Sequence, residues 1–140
     1  MPKNTAILQT AQNNMLRVIL GLKKENHINM VLVREKIQMF SINQICVYHT
    51  LLEAYNIVRM SASEKIRLKW TDTNEKKYIL RSITKDDLKI PEKPVAKCLN
   101  FTYNGAKLFN MLPKKLRETQ NLSSFKILTK EWIWENIPSY

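Results

Sequence analysis

The chain predicts a mostly α fold: a small helical domain with an irregular basic middle segment and at most one short strand or hairpin. Three observations carry that expectation. Apolar residues from Thr5 to Arg59 recur at steps of three and four, the period of helices with one buried face. Pro91 and Pro94 interrupt a lysine-rich tract, where regular helix is disfavoured. Beyond Pro113 a helical spacing restarts and runs to about Asn136. A length of 140 residues suits a single domain spanning 1–140, burying about two-thirds of its unfolded surface. Its expected parts are a helical bundle at 5–60, a basic connector at 61–97, and an aromatic segment with a terminal helix at 98–137.

The first helix is expected from about Thr5 to Leu22, with Leu8, Ala11, Met15, Val18, Ile19 and Leu22 on one face turned into the core. Gly21 stands where a helix commonly unwinds. Asn29 is a candidate cap for a second helix, Met30 to Met39, with Leu32, Val33 and Ile37 inward. Ser41 with Gln44 three positions on reads as a capping box. The third helix follows from Ile42 to Arg59, with Ile42, Ile45, Cys46, His49, Leu52 and Tyr55 near one face.

From Ser61 to Lys97 the period loosens. Ser63 is placed to cap a short helix ending near Trp70, and an extended connector follows. Val95 to Tyr103 has β-compatible residues, so one short strand is expected there. A helical turn should start at Gly105 and stop at Pro113, with one further turn at Lys114–Glu118. Leu122 before Ser123 forms a hydrophobic staple over the last helix, Ser124 to Asn136, expected to pack back on the first bundle. Phe101, Tyr103, Phe109, Leu112, Phe125 and Trp132 are the expected second half of the core, because they hold most of the apolar area available there.

Charge narrows the function classes. The chain has 23 basic and 12 acidic residues, a formal net charge of +11, and a field of that sign attracts polyanions, nucleic acid first. The strip Lys76, Lys77, Arg81, Lys85, Lys89, Lys93 and Lys97, flanked by Trp70 and Tyr78, has the cations to follow a phosphate backbone and rings to stack on bases. No run of about 18 apolar residues is present for a membrane span, and no basic-then-apolar leader marks secretion. Cys46 and Cys98 lie far apart without a Cys/His cluster, which favours reduced thiols over a disulfide or zinc site. The expected location is intracellular, nuclear or cytoplasmic.

Catalytic groups are sparse. His27 and His49 have no Ser, Cys or carboxylate at diagnostic spacing. Asp86-Asp87 is the only Asp pair and reads as a solvated pair in a Lys-rich, Pro-bounded region. No phosphate-binding glycine loop, His-Glu-x-x-His site or Gly-x-Ser-x-Gly elbow occurs, so no enzyme activity, metal or cofactor is expected.

The segment Phe101-Thr102-Tyr103-Asn104-Gly105-Ala106-Lys107-Leu108-Phe109-Asn110-Met111-Leu112-Pro113, with Lys114-Lys115-Leu116-Arg117 and Leu122-Ser123-Ser124-Phe125-Lys126 behind it, is the most distinctive stretch. It resembles the C-terminal, post-thumb segment of the reverse transcriptases of non-LTR (LINE-type) retrotransposons. Those proteins carry an aromatic, Gly, Asn-x-Leu-Pro step, a basic Leu/Ile-Arg turn and a Ser-x-x-Phe-Lys helix start. Leu8-Gln9, Gln12-Asn13 and Leu16-Arg17-Val18-Ile19-Leu20-Gly21-Leu22 are similar to the helix that opens the same region, and Met39 to Leu52 to its next helix. Phe109 stands where the family often has Trp.

The resemblance implies a piece of a polymerase that does not itself polymerise. The family holds its two divalent ions with an aromatic–x–Asp–Asp hairpin, which this sequence lacks, as it lacks the palm and fingers. The expected function is non-specific RNA or DNA binding through Lys69, Lys76, Lys77, Arg81, Lys114, Lys115, Arg117 and Lys126. The alternative is a helical interaction module whose basic surface docks an acidic protein partner. Asn110 and Pro113 are expected to be structural: Asn bonding nearby backbone where a short helix ends, Pro fixing the turn into the next.

Overall fold

The computed structural model describes residues 3–60, 62–71, 87–90 and 101–139. Among them are seven helices and no strand: α1 Lys3–Ile19, α2 Met30–Lys36, α3 Ile42–Met60, α4 Glu64–Thr71, α5 Phe101–Met111, α6 Lys114–Arg117 and α7 Leu122–Asn136. The mostly α class is therefore as expected. The chain divides into two compact units, Met1–Val47 with Glu131–Tyr140, and Tyr48–Lys130.

In the first unit the helix ends follow local chemistry closely. Gly21 has φ +64, and the bonds Leu22 N–H to Arg17 O (2.8 Å) and Gly21 N–H to Val18 O (3.1 Å) close α1 as a Schellman motif. Open space surrounds its missing Cβ, so the backbone angle, not crowding, requires glycine. α2 closes the same way: Met39 N–H bonds Arg34 O, Gln38 N–H bonds Glu35 O, and Gln38 takes φ 54 without being glycine. Asn29 Oδ1 accepts from Val31 N–H at 3.0 Å, capping α2. The capping box before α3 is reciprocal: Ser41 N–H donates to Gln44 Oε1 (3.0 Å) and Gln44 N–H to Ser41 Oγ (3.3 Å). Gln44 Nε2 also donates to Ile137 O at 2.9 Å, and Phe40 lies 5.0 Å from Trp134, which ties residues 131–140 into this unit.

The inward faces of all three helices differ from the expected ones. On α1, Leu8, Met15, Val18 and Ile19 are more than half exposed, and the buried positions are Gln9 and Leu16. Hydrogen bonding explains the rotation. Gln9 Oε1 accepts from Ile42 N–H (2.8 Å), an orphan donor at the start of α3, and Gln12 Nε2 donates to Phe40 O (2.9 Å). Asn13 Oδ1 takes a bond from the Arg34 guanidinium, and Arg17 Nη1 donates to Lys23 O and Asn26 O. The amide face of α1 thus satisfies backbone groups that burial would otherwise leave unpaired. On α2, Met30 and Arg34 are buried while Leu32 and Ile37 are exposed. On α3, Leu51, Ala54, Tyr55 and Ile57 are fully buried, whereas Cys46 and His49 are exposed. α3 is apolar nearly all round, so periodicity alone leaves its inward face undetermined.

The second unit is an aromatic core. Phe125 is stacked on Tyr55, centroids 4.1 Å apart at 20°, and both are fully buried. Phe109 and Leu112 are buried with them, Phe101 and Tyr103 only half so; Trp132 is buried in the first unit. The strand expected over 95–103 lies outside the described residues as far as 100, and its last three residues are helical. Within α5, Phe101, Gly105 and Phe109 share a helical face with Trp70 beside it. A Cβ on Gly105 would come within 3.3 Å of both the Phe101 ring and Trp70. Trp70 Nε1 donates to Thr102 O at 2.8 Å, giving the buried indole its partner. α7 starts two residues earlier than expected: Asn121 Oδ1 accepts from Ser123 N–H (2.8 Å), so Asn121 rather than Ser123 caps it.

Candidate nucleic-acid interface

α6 is the short basic turn the sequence singles out, and the second unit holds it firmly. Pro113 (φ −55, ψ 146) stops α5, and its carbonyl accepts from Leu116 N–H and Arg117 N–H. Just before the stop, Asn110 grips the backbone of Leu88 with both ends of its amide. Its Oδ1 accepts from Leu88 N–H and its Nδ2 donates to Leu88 O, each at 2.8 Å. Asn110 is therefore structural, but its partner is 22 residues away in sequence rather than a neighbour at the helix end.

Behind α6, Arg59 Nε and Nη2 donate to Arg117 O (3.1 and 2.8 Å), and the Tyr55 hydroxyl donates to Thr119 O (2.6 Å). These contacts fix the turn before any ligand arrives, so little ordering entropy is left to lose on binding.

The three α6 cations do not project as one cluster. Lys115 is exposed, and Lys114 is exposed with Glu118 at 3.6 Å, an open pair of small worth. Arg117 turns the other way: its Nη1 lies 2.7 Å from Asp87 Oδ1, with side chains only 12% and 17% exposed. Asp87 is thus not a solvated residue. It is the half-buried partner that draws Arg117 off the surface; Asp86 lies outside the described residues.

The remaining expected cations stand on other helices of the same unit. Lys69 is exposed on α4 and Lys126 is exposed on α7. Lys76, Lys77 and Arg81 lie outside the described residues, as does Tyr78. Trp70 is not available for base stacking, because it is 1% exposed and packed on α5.

Two cations were missed in the sequence. Lys130 is exposed on α7 with its Nζ 5.6 Å from the Tyr48 ring, whose hydroxyl pKa burial raises. Lys107 is exposed on α5, 5.9 Å from the Tyr103 ring. The signal for Lys130 was its spacing from Lys126, i and i+4 on one helix face, with Phe125 inward.

Charge is divided unevenly along the chain. Residues 48–130 hold 17 of the 23 basic residues and 8 of the 12 acidic ones, so nine of the eleven net charges fall in that stretch. Among the described residues, no three His, Cys, Asp or Glu side chains are grouped to hold a metal ion, and no helix is long and apolar enough to cross a membrane. No family model, curated protein or solved structure matches the chain.

Proposed function

We propose that the chain is a non-catalytic module of the kind that follows the thumb in mobile-element reverse transcriptases, and that it binds RNA or DNA without sequence preference. The observation that carries this reading is the concentration of charge: a net +9 over residues 48–130, with Lys69, Lys114, Lys115 and Lys126 exposed on an anchored helical frame. Phosphate contacts from such lysines are sequence-blind and act as point charges, in contrast to the planar fork of arginine reading a base edge. Lys76, Lys77 and Arg81 extend the same basic tract in the sequence.

The test is a comparison of unrelated 20-nucleotide single strands and duplexes at low salt. Affinities within about tenfold of one another are expected, since phosphate contacts carry no sequence information. Replacing Lys69, Lys114, Lys115 and Lys126 together by Ala should weaken all of them alike. Binding confined to one sequence, or unaffected by the four substitutions, overturns the proposal.

A further inference from the structure

The outward face of α1 is apolar. At 3.6 residues per turn, Val18, Ile7, Ala11, Met15, Leu8 and Ile19 fall within about 120° of arc. The five larger ones are each 55–81% exposed. The helix cannot turn this stripe inward, because its opposite face is already committed through Gln9, Gln12, Asn13 and Arg17 to Ile42, Phe40, Arg34 and the 23–26 loop. Among the described residues, nothing covers the stripe.

We infer that the occupant is a second copy of this chain, paired antiparallel through α1 about a two-fold axis. The stripe offers on the order of 600 Å², at the upper end of what a lone protein leaves exposed. Doubled across a two-fold it gives about 1,200 Å², the threshold of a specific interface. The pattern is self-complementary: with the axis level with Asn13, Ile7 of one copy meets Val18 of the other, Leu8 meets Ile19, and small Ala11 faces Met15.

Charge agrees with a like partner. The first unit has six basic and four acidic residues, a net of only +2; Asn4 falls inside the same arc, and the flanking residues are Asn14 and Lys3 on one side, Gln12 and Thr5 on the other. A lipid surface calls for Lys/Arg-rich flanks. Here α1 has Lys3 and Arg17 alone, and Arg17 is bonded to Lys23 O and Asn26 O.

Sedimentation velocity of the nuclease-treated full chain tests this. We expect the mass to rise from 16.5 kDa towards twice that with a dissociation constant on the order of 10 µM, and the dimer to persist at about 500 mM salt, where nucleic-acid binding fades. Met15→Glu with Val18→Glu should give monomer at every concentration with unchanged helical circular dichroism. Ile7→Gln with Ile19→Gln repeats the test if that pair loses its helical signal. A single 16.5 kDa species up to about 200 µM, some twentyfold above the expected constant, overturns the inference. So does a dimer that survives both variants, or dissociation of the dimer onto anionic vesicles.

Discussion

Asn110 shows what a single side chain contributes here. Its amide satisfies both backbone groups of Leu88, and Leu88 is a buried residue. Asn110→Ala removes both bonds and leaves those groups unpaired, a loss of about 2–3 kcal/mol in denaturant unfolding with nucleic-acid affinity unchanged at temperatures where the variant is folded. An affinity collapse with an unaltered unfolding midpoint would assign Asn110 to the ligand. Arg34 is the opposite case. It is 1% exposed, burial holds its guanidinium pKa below the ordinary arginine value, with Glu35 only partly offsetting this, and its Nε and Nη2 have no hydrogen-bond partner among the described residues. Among the described residues Asn13 is its one hydrogen-bonding contact, and Asn13 keeps a bond from Gln9 without it. Arg34→Met should therefore leave stability unchanged or raise it by about 1–2 kcal/mol, because a buried cation short of partners is replaced by an apolar chain of similar length. A fall in melting temperature would show that the Arg34 bond to Asn13 outweighs the desolvation of the charge.

At the scale of elements, the caps of the first unit were legible and the inward faces of α1 and α2 were not, while α7 is capped by Asn121 rather than Ser123. Asn29, Ser41 with Gln44, and Gly21 each act within four or five residues, so sequence alone shows their chemistry. The inward faces of α1 and α2 depend on partners far away: Gln9 and Gln12 reach Ile42 and Phe40, and Arg34 reaches Asn13, none of which periodicity contains. The first residues of α5, 101–103, misled for a related reason. Phe101 and Tyr103 have β-compatible side chains, but the pairing of Gly105 with Trp70 makes a helix the better packing.

Two element-scale predictions follow from the second unit. Phe125→Ala should cost about 3–5 kcal/mol, since the ring is fully buried against Tyr55; a loss below about 1 kcal/mol would mean that α7 is not docked there. On α6 the cations should separate by role. Lys114→Ala with Lys115→Ala should reduce the salt slope of nucleic-acid binding by about two with an unchanged melting curve. Arg117→Ala should instead lower stability by about 1–3 kcal/mol through the loss of its pair with Asp87, with a smaller change in slope. If all three behave alike in the titration, Arg117 is a phosphate contact and leaves Asp87 when ligand binds.

For the whole molecule, the uneven division of charge joins fold to proposed function. The helical class was legible from the apolar period and from the stop at Pro113. Which cations stay on the surface was not legible, because Asp87, 30 residues before Arg117, decides the fate of one of them. The most direct measurement is the binding constant for a duplex of arbitrary sequence between about 50 and 300 mM salt. We expect log K to fall linearly with log salt at a slope of about −3.6 or steeper, roughly −0.9 for each of Lys69, Lys114, Lys115 and Lys126, with any contribution of Lys76, Lys77 and Arg81 added. A slope shallower than about −1, or no binding at the lowest salt, contradicts phosphate recognition by this surface.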